Sequence, residues 1–178
     1  MALASALVQL SLQWRQLCEA VREMRVTIVE DKPGDVMLAD DLTNAADDML
    51  GAAEEALALL APGLKRNELD DRDMRSILAS CHDQFITLSS RYMNGLSSYR
   101  HIAELVRLGR ERGRAWQAWT QMVQAALEHT LPEMENVSRA QLACWQELAE
   151  RAGMAGLTIN TRAIAVGPLS PARERVNK

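Results

Sequence analysis

Residues 92–132, YMNGLSSYRHIAELVRLGRERGRAWQAWTQMVQAALEHTLP, decide how many helices this chain has. Ile102, Val106, Gly109, Gly113, Trp116, Thr120, Val123 and Leu127 step by four and three, which lays them along one stripe of a single helix. At its start, Asn94 and Gly95 suit a left-handed helix cap, and Ser97 or Ser98 can open the next helix. The pattern therefore predicts a third helix ending near Asn94 and a fourth running to about Thr130. At the far end Pro132 lacks the N–H that a helix interior needs. Thr130 with Glu133 resembles a capping box, so a fifth helix is expected to begin there or at Ser138. Gly109 and Gly113 fall on the apolar stripe, where each costs roughly 1 kcal/mol relative to alanine. Their placement beside Trp116 predicts the close approach of another helix.

Upstream, Leu3, Leu7, Leu10, Trp14, Leu17, Val21, Met24 and Ile28 keep the same alternation over nearly four heptads and predict a helix from about Ala4 to Val29. Asp31 to Gly34 turn the chain, and a turn this short implies an antiparallel neighbour. That neighbour is expected from about Asp35 to Ala61, with Leu38, Leu42, Ala45, Met49, Ala53, Leu57 and Leu60 inward and closure at Pro62 and Gly63. Its outer face is acidic, from Asp35 through Glu55. The third helix turns Met74, Leu78, Cys81, Phe85, Leu88 and Tyr92 inward. The fold class that follows is all-α, an up-and-down bundle of about five helices, four of them long, with an extended C-terminal tail. Residues 1–153 form the bundle domain and 154–178 the tail.

Length and composition agree with this reading. At 178 residues the chain can bury one real core but not two comfortable ones. Hydrophobic residues make up 48%, mostly unbranched, and four Trp, two Tyr and one Phe are the few large anchors, a mixture that favours helix over sheet. A net charge of −4 offers no general attraction to nucleic acid or anionic lipid. Cys18, Cys81 and Cys144 are odd in number and widely spaced, which points to reduced core thiols and a cytoplasmic setting. The apolar N-terminus lacks a basic first region and is interrupted by Ser and Gln, so it reads as neither signal peptide nor span.

Motifs for chemistry are sparse. The residues three before His82, His101 and His129 are Ala79, Ser98 and Ala126, so the Glu-x-x-His pairs of di-iron bundles are absent. His101 with Glu104 supplies two ligands, fewer than a zinc site needs. Cys81, His82 and Asp83 are consecutive, and consecutive helical side chains point about 100° apart, which separates a nucleophile from its base. There is no Gly-x-Ser-x-Gly elbow and no phosphate loop. No catalytic residue, metal or cofactor is assigned, and a non-catalytic role is favoured over an enzyme.

The expected function is that of a helical interaction subunit or adaptor in a cytoplasmic assembly, binding another protein or a second copy of itself, with coiled-coil-like seams. The expected partner-binding residues are Arg100, Arg107, Arg110 and Arg114, the glycines Gly109 and Gly113, the indoles Trp116 and Trp119, and Leu157, Ile159, Ile164 and Val166 in the tail. The first alternative is accessory nucleic-acid binding. Arg100, Arg107 and Arg114 are seven apart and line one face suited to phosphates. Glu104 and Glu111 between them make a ladder of intrahelical ion pairs the preferred account. A further option sets the Arg surface against the acidic second helix of another copy. The second alternative is a small-ligand or catalytic bundle around the four tryptophans, against which stands their plain use as core or interface fillers. The tail is apolar and rich in β-branched residues, which suits docking on a partner or folding back on the bundle.

Overall fold

A computed structural model describes residues 3–30, 32–34, 37–65, 70–108 and 113–153, the side chains at 65, 71, 107 and 108 excepted. Among these there are four helices and no strand: α1 (Leu3–Glu30), α2 (Met37–Lys65), α3 (Asp71–Leu108) and α4 (Arg114–Arg151). The cross-helix contacts fix an up-and-down arrangement. Arg22 meets Glu54 and Lys32 meets Asp40, so α1 and α2 are antiparallel. Arg91 on Asp48 with Gly63 beside Met74, His82 on Trp145 with Arg100 on Glu135, and Trp119 on Ile28 with Cys144 on Ala6 do the same for α2 with α3, α3 with α4, and α4 with α1.

α1 follows its heptads closely: all eight positions of the stripe from Leu3 to Ile28 are buried. In α2 the buried face is made largely of alanines, Ala39, Ala46, Ala52, Ala53 and Ala56, interspersed with Leu42, Met49 and Leu60. The expected inner residues Leu38, Ala45 and Leu57 are only half-buried. The inner face is thus rotated from the one that larger side chains suggested. The reason is that α2 is flanked by α1 and α3, and close approach on two sides selects small residues over large ones.

Two expected breaks are absent. Asn94 and Gly95 lie inside α3, where Gly95 is buried against α2: a Cβ there would stand 2.5 Å from Cγ of Met49. This glycine makes room for a neighbour and ends nothing. Among the described residues the glycine with positive φ is Gly153, just beyond α4. Pro132 lies within α4, which continues through it to Arg151, so the latter part of the expected fourth helix and the expected fifth are one, and the described residues hold four helices. Pro132 and Glu128, whose carbonyl loses the bond that the ring cannot donate, are both exposed, so water can serve that carbonyl. Thr130 caps nothing; its hydroxyl donates back to the Ala126 carbonyl at 2.6 Å. Pro62 is likewise accommodated, and α2 ends at Lys65, with Gly63 yielding space to Leu7.

The boundary between α3 and α4 falls within the stretch that the apolar stripe spans. α3 ends at Leu108 and α4 begins after Gly113, so Ile102 and Val106 belong to one helix and Trp116 to Leu127 to the next. At the start of α3, Asp70 accepts from the Asp73 N–H at 2.8 Å, an N-cap that satisfies one of the four orphan donors.

Candidate interaction surface

The described residues among those expected to bind a partner stand in different settings. Arg100 is 8% exposed and turned inward onto the Glu135 carboxylate of α4. Arg114 is exposed at the first position of α4. Gly113 is the N-cap of α4, and a Cβ there would meet nothing within 4 Å, so the close approach expected at this glycine is absent. Close approach occurs instead at Gly63 and Gly95. Trp116 and Trp119 are buried with ring centroids 5.0 Å apart. The Trp119 Nε1 donates to the Ile28 carbonyl at 3.1 Å, which satisfies one of the last carbonyls of α1 and ties its C-terminus to α4. The side chain of Arg107, and Gly109, Arg110, Leu157, Ile159, Ile164 and Val166, lie outside the described residues.

Between α3 and α4 the interior is aromatic and polar. Phe85 stacks on Trp145 at 4.3 Å, His82 stacks on the same indole at 5.4 Å, and Trp14 of α1 stands edge-on to Phe85 and Tyr92. Gln141 donates to the Ser89 hydroxyl at 3.4 Å, and Ser138 lies beside the Tyr92 hydroxyl. Rings of this size hold the two axes apart, and α3 approaches α4 closely at few points, whereas α2 packs tightly on both its neighbours. Burial pushes the Tyr92 and Tyr99 hydroxyls well above the usual phenol range.

Among the described residues no side-chain base is hydrogen-bonded to a thiol. Cys81 points its Sγ at the Leu78 carbonyl, 3.6 Å away, while the neighbouring His82 ring is stacked on Trp145. Cys144 donates to the Ala6 carbonyl at 3.3 Å. Desolvation raises all three thiols, Cys18 to about 11, which keeps them protonated and unreactive near neutrality. All three are free. Among the described residues no group of three or more His, Cys, Asp or Glu is placed to hold a metal ion, and no helix is long and apolar enough to cross a membrane.

The acidic face of α2 is matched from both sides. Arg22 and Arg25 of α1 and Lys32 just beyond it reach Glu54, Asp47 and Asp40, and Arg91 of α3 spans Asp48 at 2.7 Å and Glu55 at 3.2 Å. Gly51 lets Arg91 pass, since a Cβ there would stand 3.4 Å from its Nη2. Two shallow clefts flank this bridge, one of about 690 Å³ around Asp41, Asn94 and Ser98 and one of about 540 Å³ floored by Leu59 and Leu88. Much of the acid that a second copy's Arg surface would have met is therefore already paired within the chain.

What sequence reasoning missed is a set of large apolar side chains left in solvent. Val8, Leu12, Val26 and Val29 on α1, with Met37, Leu105 and Met122, are 42% to 79% exposed. The antiparallel order brings the end of α1, the start of α2, the end of α3 and the start of α4 to one end of the bundle. Five of these residues sit there, and the register sets Met37 opposite Leu105 and Val26 opposite Met122. The signal was present in α1 as a second heptad stripe, but one stripe sufficed to account for the helix and the other went unread. No protein-family model matches the chain, and no curated protein and no solved structure is significantly similar to it.

Proposed function

We propose that this chain is a helical interaction subunit that docks another protein on the apolar end of its bundle, where Met37, Leu105 and Met122 stand exposed. The observation that carries the proposal is the grouping: Met37 is 79% exposed at the first position of α2, and further large apolar side chains share its end of the molecule. Isolated exposed apolar residues are ordinary, but several at one end mark a surface that gains by being covered. Methionines suit such a surface because their flexible thioethers adapt to a partner's shape. The inward turn of Arg100 onto Glu135 also removes one member from the Arg100, Arg107, Arg114 row, which weakens the case for phosphate tracking relative to protein docking.

The test is affinity capture from native extract with the full chain and with a Met37→Glu, Met122→Glu variant that melts at the same temperature. A stoichiometric partner retained by the first and lost by the second is expected. A partner held equally by both, or none retained by either, would overturn the assignment of this end.

A further inference from the structure

We infer that α1 carries a second seam through which two copies of this chain pair, antiparallel, about a two-fold axis. The inference rests on the reading of the protein as an interaction subunit and names one partner for it.

The inner stripe of α1 is fully buried in its own bundle. Five residues on, hence about 140° round the helix, a second stripe with the same alternation of four and three runs along the outer face from Val8 to Val29. Its ends are apolar, Val8 and Leu12 at one and Val26 and Val29 at the other, and these four are 44% to 50% exposed. Its middle is charged: Arg15, Glu19 and Arg22, all exposed. Four of the seven large apolar side chains that the described residues leave exposed therefore fall on one line of one helix.

The order of residue types selects the occupant. A second α1 laid antiparallel with Arg15 facing Glu19 pairs Val8 with Val26 and Leu12 with Arg22, and the two-fold axis repeats each layer. Each Arg15 then meets a partner Glu19, each Val8 meets a partner Val26, and Val29 falls opposite Ser5. A parallel copy would set Glu19 on Glu19 and Arg15 on Arg15, which is repulsive. Arg22 is the one unmatched cation of the seam, and Glu54 of α2 already neutralises it at 2.5 Å, leaving its aliphatic stem to cover Leu12. The interface is isologous and closes at two copies, so it forms no open fibre.

The experiment is sedimentation equilibrium on the full chain from about 1 to 200 μM, the range of ordinary homodimer affinities, with Glu19→Arg and Arg15→Glu. The wild type is expected to dimerise. Each variant places like charges across the axis and is expected to weaken the dimer at least about tenfold, with an unchanged melting temperature of the monomer. An equimolar mixture of the two variants restores both Arg–Glu layers and should give a heterodimer of wild-type affinity. A wild-type chain that sediments as a monomer throughout, a variant that dimerises like the wild type, or a mixture that stays monomeric would overturn the inference. If the wild type is monomeric while the Met37→Glu, Met122→Glu variant still loses its captured partner, self-pairing fails and the proposed function stands.

Discussion

The two sides of this bundle solve the packing of amphipathic helices in opposite ways. On either side of α2 the contact is made by alanines and by the glycines Gly63 and Gly95, the backbones come close, and charges stay outside as bridges such as Arg91 to Asp48 and Glu55. Between α3 and α4 the contact is made by Phe85, Trp145 and Tyr92, the axes stand apart, and an ion pair, Arg100 with Glu135, is enclosed. The comparison teaches that helix spacing decides where charge can go. A seam of small residues has no room for a guanidinium, so its arginines pair at the rim. A seam propped open by rings has space beside them and buries polar groups there.

The strongest way to break this contrast is Glu135→Ala, which removes the carboxylate that Arg100 meets in the wide seam. Loss of about 3 kcal/mol in a denaturant titration is expected. The double variant Arg100→Met, Glu135→Leu should recover most of it, because a well-packed apolar pair replaces a desolvated ionic one. If the single variant is neutral, Arg100 is not held as described.

Alkaline titration probes both sides together. Burial raises Cys18 to about 11 from an ordinary value near 9, and it raises Cys81, Tyr92 and Tyr99 as well. The unfolded chain therefore releases these protons at lower pH than the folded one, so the stabilisation is fully present below pH 9 and is lost as pH rises toward 11. The unfolding free energy read from a denaturant titration should fall over that window, by about 2 kcal/mol for Cys18. Cys18→Ala should flatten the fall if the thiol beside α2 dominates, and Tyr92→Phe if the phenol of the wide seam does. A midpoint independent of pH in the wild type would contradict the burial of both.

A smaller effect is expected from Gly95→Ala. Alanine gains roughly 1 kcal/mol in helix propensity, but its methyl meets Met49, which is fully buried against α3. Overpacking of this kind costs about 1–3 kcal/mol, so a net loss of about 1 kcal/mol is expected, with positive coupling to Met49→Ala in a double-mutant cycle. A net gain would mean that the close seam has slack. The smallest effect belongs to Arg91→Ala, where both partners are exposed: under about 1 kcal/mol, and diminishing in high salt.

Much of the helical content was legible because heptad periodicity is local. The buried stripe of α1 and the inner residues of α3 from Met74 to Tyr92 are those that spacing alone picks out. The helix ends were less legible, since Asn94-Gly95 and Pro132 carry the chemistry of termini while their environments give that chemistry another use. A buried glycine against Met49 and an exposed proline in a long helix look the same in sequence as a cap and a stop. The expected site was least legible. Arg100 belongs by spacing to an arginine row, yet it shares its helix with no residue that announces Glu135, which is thirty-five positions away.

The sequence by itself determined that this protein is helical, where the inward stripes of α1 and α3 run, and that α1 and α2 turn back on one another. These depend on neighbours within a few residues, whose geometry the backbone repeats. Only the tertiary structure decided that α2 presents alanines, that Trp119 closes the end of α1, that Arg100 is interior, and that Val8, Leu12, Val26 and Val29 remain in water. Each of those outcomes depends on the distance and direction between helices far apart in the chain. Burial is a property of what stands opposite a side chain, and spacing along one helix carries no record of that.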